Sequence, residues 1–205
     1  RLQIKGARFS NADAKGELTA AWRTGEATGA ARGGRFPGHL ELDATLTDGA
    51  ANRAHRYLPL AISKATRQYV EESIQSGNLV SAGFHVKGDL SEFPFANART
   101  AKDGEFRIRA KVVDADFAFL PGTRATDTSP AQAASWPTLA KASVELNLDR
   151  GTLELRNGQA RYGNLGFQGV NGAIRQLDAD PVLVLDASGH GPLTEMLGVV
   201  NTTPV

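Results

Sequence analysis

The chain contains no cysteine, which excludes disulfides, thiolate nucleophiles and cysteine-ligated metals and leaves the redox compartment open. Charge of one sign is also missing. Lys plus Arg number 23 and Asp plus Glu 22, a formal net charge of +1. A broad nucleic-acid surface needs a net basic face, so that class is disfavoured. Long hydrophobic runs are absent: the longest aliphatic stretch is Val182 to Leu185, far short of the roughly 20 residues of a spanning helix. The chain starts at Arg1 with no initiator methionine or signal peptide and ends Thr203-Pro204-Val205. It therefore reads as a segment cut from something longer.

Catalytic patterns are equally sparse. The histidines stand at 39, 55, 85 and 190, with no HExxH and no pair at i,i+4, so no metal site is expected. No serine has a GxSxG context. Gly25, Gly29, Gly33, Gly34 and Gly38 match neither phosphate-binding order and are read as turns. Asp114 and Asp116 share a strand face, but solvated polar residues explain them better than a catalytic pair. Asn201-Thr202-Thr203 matches a glycosylation sequon, a pattern common by chance. His85 reads as an ordinary residue of a wet strand face. No enzyme activity and no cofactor are expected.

What remains is a folding chain. It is 41% hydrophobic and 22% charged, with 205 residues, enough for one large domain or two small ones. Its 22 glycines, about 11% against a usual 7%, suggest many tight turns.

The dominant signal is period-two alternation. Leu40, Leu42, Ala44 and Leu46 alternate with polar residues, as do Val80, Ala82, Phe84 and Val86, and Phe106, Ile108, Ala110 and Val112. The phase slips at Val112-Val113 and resumes as Val113, Ala115, Phe117 and Phe119, which predicts a β-bulge. Val144, Leu146 and Leu148, then Leu153 and Leu155, continue the pattern. Such alternation means antiparallel strands with one wet face. Turns are expected at Asp48-Gly49, Asp103-Gly104, Asp149-Arg150-Gly151, Asn157-Gly158, Gly163-Asn164 and Asn171-Gly172. Residues 141–189 read as a hairpin meander.

A helix is predicted over residues 63–76, with Ser63 as N-cap and Gly77 as stop. A short helix from Asn52 to Leu58 is broken at Pro59, and another runs around Pro192 to Val199. Residues 121–137 read as a loop whose far end Trp136-Pro137 pins. The segments are thus N-terminal strands over 1–50, a helical insert over 51–77, long strands over 78–120, the loop, and a meander with a short helix over 138–205.

Nine to eleven strands form a sheet that one medium helix and one short one cannot cover, because ten strands span about 48 Å and a 14-residue helix about 21 Å. The fold is mainly β. Either the wide antiparallel sheet closes and fills its interior, or it stays open and strongly curved with an apolar lining.

One stretch has a distinctive order. Arg56-Tyr57-Leu58-Pro59-Leu60 precedes the helix, Ser76-Gly77 follows it, and a strand then runs into Gly88-Asp89-Leu90-Ser91-Glu92-Phe93-Pro94-Phe95. This resembles the central region of YhdP-like proteins of the AsmA-like superfamily of Gram-negative bacteria, where a YLP segment, a helix, a glycine and a G-D-L-x-x-F-P-F motif follow in that order. Gly151 to Gly158 looks like the recurring strand-turn unit of AsmA-like domains. Gly189-His190-Gly191-Pro192-Leu193 and Thr203-Pro204-Val205 look like their G-P-L helix and its continuation. Residues 1–50 and 120–137 carry no such motif.

The resemblance implies a periplasmic protein anchored in the inner membrane, built of β-units curled like a taco shell around an apolar groove, and serving outer-membrane lipid homeostasis. The expected partners are phospholipid acyl chains and neighbouring repeats of the parent that pair with its edge strands. Candidate groove residues are Phe84, Val86, Phe106, Ile108, Val112, Phe117, Phe119, Leu146, Leu148, Leu153 and Leu155. Tyr57 and Phe93-Pro94-Phe95 are expected to lock helix to sheet, and with Leu58, Pro59, Gly88 and Asp89 they make up the structural family motif. The alternative is a structural or assembly module of outer-membrane biogenesis, with a filled core and no lipid.

Overall fold

A computed structural model describes residues 1–25, 36–60, 62–96, 102–122, 136–177 and 181–202. Its strands are β1 (Leu2–Ser10), β2 (Lys15–Arg23), β3 (His39–Ala50), β4 (Asn78–Asp89), β5 (Glu105–Phe117), β6 (Leu139–Asp149), β7 (Thr152–Tyr162), β8 (Leu165–Ile174) and β9 (Leu183–His190). They form one nine-stranded sheet in the order of the chain, and every neighbouring pair is antiparallel. The sheet does not close: β1 and β9 are its two edges. The architecture is the mainly-β, open one expected, and it is consistent with a curved sheet. Of the expected turn region, Gly29, Gly33 and Gly34 lie outside the described residues, as do 123–135 of the expected loop.

Opposed residues of an antiparallel ladder share a face, so the registers assign every strand residue to one of two surfaces. On the first, Leu46, Ala82, Ala110, Leu146 and Leu155 lie in one row across β3 to β7, and Leu42, Val86 and Phe106 in another. On the second, charged residues pair across strands. Lys87 meets Glu41 at 3.6 Å, Arg107 meets Asp149 at 3.5 Å, and Lys111 meets Glu145 at 3.3 Å.

Two short non-strand layers cover opposite strand ends of the apolar surface. The first comprises a 3-10 helix (Ala51–Tyr57) and helix α1 (Lys64–Ser73). The Ser63 side chain accepts from the Thr66 N–H at 3.1 Å, the predicted N-cap. The helix ends before Gly77, because the chain turns extended at Ile74, which bridges to Phe117 while the Gln75 N–H donates to the Asp116 carbonyl. Pairing with β5 outcompetes the last helical turn. The Arg67 guanidinium donates to the carbonyls of His55, Leu58 and Pro59 at 2.9, 3.1 and 2.8 Å. It thereby satisfies acceptors that the end of the 3-10 helix and the proline would leave open. Tyr57 and Ile74 pack on a cluster of Ala14, Leu46, Ala51, Leu79, Ala82, Val112 and Ala115.

The second layer is the G-D-L-x-x-F-P-F segment. The Asp89 carboxylate accepts from the Ser91 N–H at 3.0 Å and the Ser91 hydroxyl at 2.7 Å. These bonds, with help from His39 and Arg23, hold it below the usual carboxylate range. The turn directs Phe95 back onto the sheet, where it is 1% exposed against Val86 and Phe106. Phe93 packs against Phe106 with the rings tilted by 54° and their centroids 4.7 Å apart. The Phe95 ring lies directly on the backbones of Gly88 and Gly104. A Cβ at Gly88 would stand 2.8 Å from the ring, and one at Gly104 would fall inside its van der Waals envelope. The motif's glycine is therefore a seat for its last phenylalanine.

Several expected turns are not turns. Asp48-Gly49 lies in β3, Asn157-Gly158 in β7 and Asn171-Gly172 in β8. Asp48 and Asn157 have φ of 51° and 53°, and the β7–β8 register shifts between Leu155 and Gly158. A left-handed residue inside a ladder makes a bulge as readily as a hairpin. The bulge predicted at Val112-Val113 is present: the register shifts between Val112 and Ala115, and Asp114 has φ of 52°. Val80, expected to point inward, is 45% exposed because a shift between Leu79 and Ser81 puts Leu79 inside instead.

Gly104→Ala is expected to destabilise the fold by about 1–3 kcal/mol, the usual cost of overpacking, measured by urea unfolding. A change under about 0.5 kcal/mol, the ordinary surface value, would show that Phe95 is not seated on this backbone.

Candidate functional site

One row of the apolar surface differs from those beside it. Following the registers across all eight strand pairs, Ala7, Leu18, Ala44, Phe84, Ile108, Leu148, Leu153, Ile174 and Leu183 stand opposite one another in turn. Each strand contributes one apolar residue. All nine are half-buried, and none is fully buried or exposed. The flanking rows contain fully buried members: Leu46 at 4% and Ala82 at 5% exposure on one side, Val86 at 5% and Phe106 at 3% on the other. The half-buried row is the strip between the two covering layers. Eight interstrand steps give it a length of about 38 Å.

The strip is smooth at its start and open at its end. Ala7 and Ala44 leave low points among larger side chains. Beyond β6 neither buried cluster contributes a residue. Leu153, Leu155, Ile174 and Leu183 are half-buried, and Leu185 is 51% exposed. Helix α2 (Leu193–Thr202), close to the helix expected at Pro192 to Val199, leaves Leu193 and Leu197 69% and 54% exposed. It is tied instead through Glu195, whose carboxylate accepts from the Asn164 side-chain amide at 2.7 Å and its N–H at 3.2 Å.

The candidate groove residues fall into three groups. Phe84, Ile108, Leu148 and Leu153 belong to the strip, and Leu146 and Leu155 to the adjacent row. Val86 and Phe106 are core beneath Phe93-Pro94-Phe95, and Val112 is core beneath the helical layer. Phe117 bridges to Ile74, while Phe119 lies beyond β5 and packs edge-on against Trp136 at 5.6 Å. The Trp136 contact is the pin expected at the far end of the loop. Alternation alone placed Leu18, Ala7, Ile174 and Leu183 nowhere in particular; only the strand registers align them with Phe84.

The polar surface has its own relief. Two depressions, of about 490 and 540 Å³, meet at Gly83 and Arg109. His85 lies between Asp43 at 2.7 Å and Glu105 at 3.4 Å. Glu145 is held below the usual carboxylate range by the Asn157 amide first and Lys111 second. Asp116 accepts from the Ser76 hydroxyl at 2.9 Å, which gives it a structural task at the end of α1. Among the described residues no group of three or more His, Asp or Glu side chains could hold a metal ion. No described helix is long and apolar enough to cross a membrane.

The model of the YhdP protein family matches residues 1–205. The chain belongs to the YhdP family. That membership covers the stretches without a recognisable motif, 1–50 and 120–137, as well as the F-P-F region. Searches of curated proteins and of solved structures return no match.

β9 has no buried residue, so side chains there carry little packing energy. Leu185→Ala is expected to cost under about 0.5 kcal/mol, as at a surface position, whereas Leu46→Ala costs about 2–5 kcal/mol. Equal costs in chemical denaturation would mean that β9 is packed as a core strand.

Proposed function

We propose that this chain is a stretch of a bridge-like lipid-transfer protein, in which phospholipid acyl chains lie along the half-buried strip. The observation that carries this reading is the strip itself: nine apolar side chains, one from each strand, all half-buried from edge to edge. An ordinary core has no reason to leave a continuous lane uncovered along its whole width. Burying a long acyl chain there supplies about 0.8 kcal/mol per CH₂. Ala7 and Ala44 make only dips in the lane and none of its nine side chains is fully buried, which permits sliding. Phosphate headgroups stay in water at the lane's mouth, since burying an unpaired charge is very costly. Membership of the YhdP family supports a place in the bacterial envelope, and the periplasm is the compartment where such a lane would be used for outer-membrane lipid homeostasis. The chain acts here as a conduit and not as an enzyme.

Neighbouring repeats extend the lane. The edges β1 and β9 each present an unpaired row of backbone donors and acceptors, and β9 carries Val184 at 68% and Leu185 at 51% exposure. Pairing at these edges would continue the strip into the next sheet.

A second reading has an observation of its own. The rows beside the strip contain fully buried members on β3, β4 and β5, namely Leu46, Ala82, Val86 and Phe106, which is what a filled structural or assembly module needs. The two readings differ on the strip. Under the conduit reading, Leu153→Asp folds, and native mass spectrometry finds the copurified phospholipid lost. A photoactivatable phospholipid crosslinks at Leu153 and Ile174 and not at Thr45 on the opposite face. Absence of lipid from the gently purified wild-type chain, with no crosslink at either strip position, would leave only the structural module.

Edge pairing has a separate readout. The isolated chain is expected to associate at high concentration in analytical ultracentrifugation, and Leu185→Lys on β9 to shift it toward monomer. A strictly monomeric wild-type chain would show that the edges are blunted.

A further inference from the structure

On β5 the polar surface carries a cation, Arg109, that its strand neighbours leave unpaired. Arg107, Arg109 and Lys111 stand at alternate positions of β5 and share a face. Arg107 faces Asp149 on β6 and pairs with it at 3.5 Å, and Lys111 faces Glu145 and pairs with it at 3.3 Å. Arg109 between them faces Asn147 on β6 and Gly83 on β4, neither of which has a charge. Among the described residues the Arg109 side chain makes no ion pair or hydrogen bond. The acids diagonal to it are already engaged, Glu145 also accepting from the Asn157 amide at 3.0 Å. Three like charges in a line with two neutralised leave a residual positive field at the middle one.

The space beside that charge is empty. Gly83 has no side chain, and a Cβ built there would meet nothing within 4 Å. Both depressions of the polar surface include Gly83 and Arg109 in their walls, so the notch joins them. Asn147 adds a second unfilled group, since its Oδ1 is buried and has no hydrogen-bond partner among the described residues. A buried acceptor left open costs free energy that a ligand's donor would recover.

We propose that the Gly83–Arg109–Asn147 notch binds an oxyanion of the phosphate or carboxylate type that also carries a hydrogen-bond donor. The planar guanidinium takes the oxyanion in bidentate fashion. Asn147 Oδ1 is closed to solvent in the empty notch, so the ligand's hydroxyl or protonated oxygen donates to it after the side-chain amide turns toward Gly83. Hydrogen phosphate and phosphate monoesters have both groups, and so does a lipid headgroup. The notch lies on the face opposite the apolar strip and does not depend on lipid lying there.

The test is a titration of the ¹⁵N-labelled chain with inorganic phosphate and with glycerol 3-phosphate, against sodium chloride at matched ionic strength. The amide of Gly83, the Nε–H of Arg109 and the side-chain NH₂ of Asn147 are expected to shift saturably with the phosphates and not with chloride. Arg109→Gln should weaken binding at least ten-fold, while Arg107→Gln weakens it far less. Gly83→Val should fill the notch and abolish binding while the chain stays as stable as before, because the added side chain enters open space and suits a strand. Flotation with vesicles containing phosphatidylglycerol separates the sources. Recruitment lost in Arg109→Gln assigns a headgroup, and phosphate binding without recruitment assigns a free ester. Shifts that are linear and equal for phosphate and chloride, with no recruitment to vesicles, overturn the proposal.

Discussion

Each strand of this sheet hydrogen-bonds only to the strands next to it in the chain. Antiparallel pairing then carries a residue's facing across the whole sheet, because opposed residues share a side. One apolar position in β2 therefore constrains β3, and so on to β9. Bulges matter for the same reason. The shift at Val112–Ala115 inserts one extra residue in β5 and absorbs the change of phase, so Ala115 stays in the cluster that holds Val112.

On that frame the two covering layers act at opposite ends of the strands. The helical layer is held by backbone acceptors meeting Arg67 and by the bridge from Ile74 to Phe117. The F-P-F layer is held by close approach, an aromatic ring lying on glycine backbone at Gly88 and Gly104. Neither cluster extends past β6, and the row that includes Phe84 and Ile108 packs against their margins and stays only half-buried. The apolar lane exists because the cover is incomplete.

How much of this the sequence revealed depended on range. Local rules found the Ser63 cap, the slip in β5, the short helix after Pro192 and the nature of both faces. They also identified the candidate groove residues Phe84, Ile108, Leu148 and Leu153. They could not separate these from Val86, Phe106 and Val112, since alternation tells which face a residue takes and not what lies over it. Asp48-Gly49 and Asn157-Gly158 misled because left-handed residues serve bulges and turns alike. Arg109 looked like any wet-face cation. Its isolation is a property of its opposites, Gly83 and Asn147, which stand 26 and 38 positions away in the chain.

The absence of crossovers has an evolutionary side. A crossover connection ties distant strands together, so inserting anything between them disturbs the whole sheet. A pure meander imposes no such condition. Duplicating one hairpin lengthens the sheet by two strands and the apolar lane by about 9.6 Å, while every existing contact keeps its partner. A protein built this way can change its length by gene-level addition of hairpins, in the manner of a repeat array.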